Sequence, residues 1–403
     1  MALFPALFAS LALSFTLAEA LRRFGIPRVV GQISAGLIIT ATPLRGLLFD
    51  QETLSAFNGL AEVGIVLLFF FIGLGMNLRS FSKNLKEGVL ISVSNTLIPF
   101  FLGLGLALLL GQDLFAGLVL GIAFAVSSQT VTLDLLEEFG LIKSRIGSLL
   151  IGSGAIDDTL EFILIGFLLA SIQLQESGPE SIVLGLLAFV GILSIFRLFI
   201  LERLIKVFEK QKSERVLFMG ALIIALLMAS LSGIFGLSGL IGSLIAGALV
   251  RQVMLTSDHY RPWEEHQLSK NLDIVSFGFF IPLFFVSAGL NVDLSNLSGL
   301  MLGIALGTVA LIATVAATSL GVLLCGRSLK EGIIVGLGLT PKGDTDIVLA
   351  SLALGSGFIG ADLFSSIVIM ALVTTLLSPI LFRAAAKRWR KELGIDMPRK
   401  AAK

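Results

Sequence analysis

Charge is scarce in this sequence. Only 14% of its 403 residues are Asp, Glu, Lys or Arg, against 56% hydrophobic, whereas soluble domains run at about 25% charged. That balance excludes a water-soluble globule and implies a polytopic membrane protein. Cysteine is nearly missing as well. Cys325 stands alone, so no internal disulfide can form, and its apolar setting suits plain packing. No sign of charge dominates either: the formal net charge is +1, which leaves no electrostatic footprint for nucleic acid. The first apolar run has no basic n-region and no obvious cleavage site, so it reads as a spanning helix and not as a signal peptide. Glycine, by contrast, is abundant at 43 residues, as expected where membrane helices pack closely or are interrupted.

Apolar runs near the 20-residue spanning length fall at about 3–24, 28–46, 54–77, 84–111, 113–138, 143–172, 180–210, 213–234, 237–252, 263–290, 296–325, 328–355 and 360–388, thirteen in all. If these helices alternate, every lysine and arginine except Arg45 and Lys342 lies on one side. The positive-inside rule then puts the N-terminus outside and the C-terminus in the cytoplasm. The short chain suits a prokaryotic cytoplasmic (inner) membrane, and the basic stretch from Arg383 suits anionic headgroups of the lipid bilayer.

The two halves resemble each other. FFIGLGMN at Phe70–Asn77 matches FFVSAGLN at Phe284–Asn291, and VGQISAG at Val30–Gly36 matches IGSLIAG at Ile241–Gly247. Polar breaks interrupt two further spans at corresponding places, AVSSQTVTLDLL from Ala125 and GLTPKGDTDIVL from Gly338. The expected division is a first repeat over 1–172, a linker helix over 173–212, a second repeat over 213–390 and a cytoplasmic tail over 391–403. An offset of seven spans is odd, so the second copy enters the membrane inverted. Inverted repeats, each with a broken helix, are the pattern of secondary transporters, whose site lies where the breaks meet near the midplane.

Asp157 and Asp158 sit side by side in the apolar run from Gly147 to Ile172. A charged residue at the centre of a membrane helix costs about 2.5–3.5 kcal/mol on insertion scales, so the pair needs a partner, a cation or a water-filled path. Neighbouring residues project about 100° apart on a helix and can serve different partners. Asp158 is assigned to the cation and the proton, and Asp157 to a salt bridge with Lys342. Ser127, Ser128 and Thr130 supply oxygens at the first break. Pro341 and Gly343 enforce the second, because proline lacks a donor and glycine allows unusual dihedrals. A carboxylate that either holds a proton or shares its oxygens with a monovalent cation makes the two occupancies exclusive, which is the requirement for antiport. Glu161 and Asp344 are accessory candidates. Glu62 and Asp134 read as interfacial, and His259 and His266 as solvated loop residues.

These stretches resemble the second family of monovalent cation:proton antiporters, the Kef- and Nap-type exchangers, over nearly the whole chain. The similarity is carried by RFGIPRVVGQISAGLII from Arg23, LAEVGIVLLFFFIGLGMNL from Leu60, SSQTVTLDLLEEFGLI from Ser127, GSGAIDDTLEF from Gly152, FFVSAGLNVDL from Phe284 and LGLTPKGDTDIVLASLALGSG from Leu337. The resemblance implies the all-α sodium/proton antiporter fold with crossed discontinuous helices, a homodimer with a panel domain and a moving core domain, Asp158 as the ion and proton carboxylate, and an Asp157–Lys342 salt bridge. It further implies electrogenic exchange of sodium, with lithium as its companion, for protons, without a cofactor. Three positions depart from the family pattern: Met76 where an acid is usual, the shorter Asp344 for glutamate, and Glu161 at a small or apolar position. No nucleotide-binding regulatory domain is expected after the thirteenth span. A potassium/proton antiporter is the alternative. A sodium-coupled solute symporter fits less well, since no arginine or aromatic cluster at depth would hold an organic solute. An aspartyl protease needs its two carboxylates on facing helices, so an enzyme is not expected.

Overall fold

The computed structural model describes residues 3–23, 26–75, 85–139, 141, 144–177, 214–234, 239–256, 274–295, 297–389 and 392. Among these, the only regular structure is helical. In chain order the helices are α1 (Leu3–Arg22), α2 (Arg28–Ala41), α3 (Leu44–Leu48), α4 (Gln51–Gly75), α5 (Leu85–Leu109), α6 (Leu114–Ala125), α7 (Gln129–Glu138), α8 (Arg145–Ser177), α9 (Glu214–Ile234), α10 (Gly239–Thr256), α11 (Ile281–Leu290), α12 (Leu297–Leu324), α13 (Leu329–Leu339), α14 (Asp344–Gly355) and α15 (Ala361–Arg388). A π-helical turn over Ser276–Phe280 leads into α11. Within the described residues α1, α4, α5, α12 and α15 are long and apolar enough to cross a membrane. Phe4, Phe8 and Phe15 on α1 and Met301, Ile312 and Leu324 on α12 are exposed, as large apolar side chains facing lipid should be. The expected linker over 173–212 lies, from 178 onward, outside the described residues.

The chain forms two compact units, and both draw on both halves of the sequence. The first holds Met1–Leu11, Leu48–Asn77 and Gly166–Phe284; the second holds Ala12–Leu47, Leu78–Ile165 and Phe285–Lys403. The internal repeat reappears as a contact made twice, once in each unit. In the second unit α2 crosses α11 so closely that a Cβ on Gly36 would lie 2.2 Å from the Val286 carbonyl oxygen, and one on Gly289 2.4 Å from that of Ile33. In the first unit α10 crosses α4 in the same manner: a Cβ on Gly247 would lie 2.1 Å from the Phe70 oxygen, and one on Gly73 2.0 Å from that of Leu244. Gly36 and Gly247 are the matched glycines of the two VGQISAG-like segments, and their partners belong to the two FFIGLGMN-like segments. Glycine is required at these crossings because any side chain would push the backbones apart.

The second unit is built around α12. Gly303 and Gly307 receive Ile369 and Val373 of α15, Gly321 meets Ile91 of α5, and Gly332 and Gly336 of α13 lie against Ser319 and Val315. Small residues thus bring α5, α13 and α15 onto one helix. The ends that set these elements are local. Asp113 caps α6 by accepting from the Ala116 N–H at 2.8 Å. Ser328 and Glu331 form a capping box at the start of α13. Gly111 and Gly326, at φ 75° and 74°, close α5 and α12 through Gln112 N–H to Ala107 O and Arg327 N–H to Val322 O, a C-terminal motif that needs the left-handed region. Beneath the two breaks, Leu135, Leu136, Phe139, Ile146, Leu150, Ile334, Val335, Leu339 and Phe382 form one apolar cluster.

Candidate functional site

Both predicted helix breaks are present. The span expected over 113–138 is divided into α6 and α7 with 126–128 between them, and the span over 328–355 into α13 and α14 with 340–343 between them. The breaks touch. The Ser128 N–H donates to the Pro341 carbonyl at 2.8 Å, and Thr132 Oγ1 donates to Gly338 O at 2.7 Å. A Cβ on Gly343 would lie 3.2 Å from Ser128 Oγ, so a larger residue there would crowd the crossing. Thr375 Oγ1 on α15 donates to the Lys342 carbonyl. Backbone groups that a broken helix leaves open are therefore answered in part by the other break and in part by side chains of neighbouring helices, as a span in lipid requires.

Lys342 is fully buried. Its Nζ donates to the Phe124 carbonyl at 2.7 Å and to that of Val126, groups freed where α6 stops. The C-terminal end of a helix carries partial negative charge, and a cation belongs there. Among the described residues, Asp346, Glu161 and Asp157 are acids placed to act on Lys342 through space. Asp346 is fully buried and accepts from the Gly343 N–H at 2.9 Å, which fixes the turn carrying the lysine.

Asp157, on α8, is also fully buried. One oxygen accepts from Ser92 Oγ at 2.6 Å and Thr96 Oγ1 at 2.9 Å; the other accepts from Asn95 Nδ2 at 3.0 Å. All three donors lie on α5. Behind them Thr318 Oγ1, on α12, donates to Asn95 Oδ1 at 2.8 Å, which sets the amide so that its nitrogen faces the carboxylate. The expected Asp157–Lys342 salt bridge is not formed in this structure. The neutral donors of α5 take both oxygens of the aspartate, while the lysine is turned to the end of α6.

Asp158 follows Asp157 on α8, and Thr130 and Asp344 stand in the first turns of α7 and α14; the side chains of these three lie outside the described residues. Ser127 and Ser128 are buried within the first break and Pro341 and Gly343 within the second. Glu161 is buried too and accepts from the Ser127 N–H at 2.6 Å. Ser92, Asn95, Thr96 and Thr318 were not expected. Their signal is legible in hindsight: 92, 95 and 96 follow the i, i+3, i+4 spacing that puts polar groups on one face of an apolar helix. At one end of this unit Arg327 pairs with Glu87, and Arg145 with Glu331 at 3.6 Å, so the starts of α5, α8 and α13 come together.

Residues 9–387 match the family model described as sodium/hydrogen exchanger, transmembrane. The chain belongs to the sodium/hydrogen exchanger family. It is an integral membrane protein. It is 28% identical to the Na(+)/H(+) antiporter of Enterococcus hirae, over 91% of this chain and 94% of that one. It is 25% identical to the Na(+)/H(+)-K(+) antiporter GerN of Bacillus cereus, over 89% of each. In fold it resembles the sodium proton antiporter MjNhaP1 of Methanocaldococcus jannaschii at pH 8, with a TM-score of 0.62 at 20% identity, over 98% of this chain and 99% of that one.

Proposed function

We propose that this family member is a secondary transporter that exchanges sodium, and with it lithium, for protons, of the Kef/Nap type. The observation that carries the reading is the contact between the two helix breaks, with Lys342 seated in the carbonyls of one and the paired aspartates on the neighbouring α8. The names of its relatives support it. Asp158 is the carboxylate for which proton and cation compete, and hydroxyl and freed carbonyl oxygens of the breaks complete the ligand set for a hard cation. Asp157 is the anchored partner, held to α5 so that Asp158 keeps a fixed bearing. The second compact unit carries the site and moves as the core in alternating access. The protein works as a homodimer in the inner membrane, N-terminus outside and C-terminus in the cytoplasm, with six-helix repeats on either side of a linker helix.

Potassium is the second reading, favoured by one relative whose name carries both ions. The test is proton flux in proteoliposomes with sodium or potassium over a range of pH, with the membrane potential free or clamped by an ionophore. Sodium-driven flux that quickens under the clamp is the expected result and marks electrogenic exchange. A response to potassium alone would transfer the reading to the alternative, and no proton movement with either cation would overturn antiport.

A further inference from the structure

Glu161 lies one helical turn beyond Asp157 on α8 and is only 3% exposed. Its Oε1 accepts twice from one residue, from the Ser127 N–H at 2.6 Å and from Ser127 Oγ at 3.3 Å. Ser127 stands in the break just before α7. An amide in a helix break lacks a helical acceptor, and a carboxylate that accepts from it makes a charge-assisted hydrogen bond. Glu161 therefore fixes the first break from the α8 side, as Lys342 does from the second break.

The bond to the hydroxyl has a further consequence. A serine hydroxyl has one proton and two lone pairs. With its proton directed to Glu161, Ser127 Oγ presents only lone pairs elsewhere, which is the orientation an alkali cation needs in a ligand. No other acid among the described contacts does this for Ser127. Asp157 is taken up by Ser92, Asn95 and Thr96, and Asp346 by the Gly343 amide.

We infer that Glu161 is a positioning residue for cation binding, orienting Ser127 as an oxygen ligand while holding the break to α8. The inference rests on the reading of the first break as part of the cation site. It assigns a role to a carboxylate for which exchange chemistry at Asp158 has no use.

The test is a double-mutant cycle on full-length protein in proteoliposomes, driven by whichever cation moves protons in the wild type. Glu161→Gln keeps an oxygen that can accept the Ser127 N–H but removes the charge that holds the hydroxyl proton. Ser127→Ala keeps the N–H bond and removes the ligand. Each single change should raise the half-saturating cation concentration about tenfold, the worth of one hydrogen bond to a charged group. Maximal rate should change much less, and the double variant should be no worse than the weaker single one. Ser127→Thr, which keeps a hydroxyl, should restore wild-type half-saturation. Unchanged half-saturation in Glu161→Gln would overturn the inference, and so would effects that multiply in the double variant. If Glu161→Gln does not yield folded protein, Ser127→Ala with wild-type half-saturation overturns it alone. A wild type that exchanges no cation for protons would bring down the proposed function instead.

Discussion

Lys342→Met removes a buried cation and leaves nearly everything else in place. Nζ donates to two carbonyls at the end of α6. Each left unanswered costs about 1–3 kcal/mol. The lysine is also the positive charge among Asp346, Glu161 and Asp157, all buried, and removing one side of a buried charge cluster typically costs about 3–5 kcal/mol. These estimates overlap, since both count the same ammonium, so the total is about 3–5 kcal/mol rather than their sum. At about 2.1 cal/mol/K of unfolding entropy per residue, 1 kcal/mol is worth only about 1 °C of Tm in a chain of 403 residues, so the variant should melt about 3–6 °C below the wild type in detergent. The sign of the recovery is the sharper test. Both protons and bound sodium add positive charge where the lysine was lost, so low pH or high sodium should narrow the gap. Sodium at a hundred times its dissociation constant stabilises a protein that binds it by about 2.7 kcal/mol. Lys342→Arg keeps the charge and should stay closer to the wild type. A variant that melts within about 1 °C of the wild type would refute the role of the carbonyl contacts. A loss that is the same at every pH and sodium concentration would refute the charge-balance argument.

Asp158→Asn should abolish exchange in proteoliposomes while the protein still folds, and an active variant would remove Asp158 from the site. Asp157→Asn should keep part of the α5 clamp, cost less activity, and shift exchange toward electroneutrality, read as lost sensitivity to the potential clamp. Thr318→Val leaves Asn95 Oδ1 without its donor, a loss of about 1–3 kcal/mol; it should lower Tm and weaken exchange although Thr318 touches neither break, and a Tm equal to the wild type's would show the amide to be held otherwise. Gly36→Leu and Gly247→Leu would each put a Cβ within 2.2 Å of a carbonyl oxygen across a helix crossing; overpacking of this kind costs about 1–3 kcal/mol or more, so both should lower the yield of folded protein. Equal tolerance of Leu at either position would contradict the close approach.

What the sequence made legible follows from how expensive polar groups are in lipid. A break in an apolar span is visible because Ser127, Ser128, Pro341 and Gly343 have no reason to be there otherwise, and the structure interrupts its helices at those places. The repeat is visible for a related reason. The closest backbone crossings demand glycine, and Gly36 and Gly247 keep that demand in register across the two halves. The partner of Asp157 was harder to read. Charge balance pointed to Lys342, because a lone lysine and a pair of aspartates suggest one another. Hydrogen bonds from Ser92, Asn95 and Thr96 occupy both oxygens of the carboxylate without an ammonium, and neutral donors carry no charge to betray them in a sequence. Their spacing was on view, but it gains meaning only once α5 is known to face α8.

The same reasoning explains why Lys342 turns away from Asp157. A helix cut in mid-membrane ends in carbonyls that water cannot reach, and for α6 those are the carbonyls of Phe124 and Val126. An ammonium there serves the backbone first and the carboxylates through space. The lysine's position is then set by where α6 stops, and where α6 stops is held by Ser128 N–H on Pro341 and by Glu161 on Ser127. Moving any one of these groups moves the others. A fold of this kind therefore has little freedom to adjust its site one residue at a time. Restoring exchange in a Lys342 variant should require second changes within the two breaks, on α8 or on α15 at Thr375, and suppressors confined to lipid-facing positions of α1 would contradict that coupling.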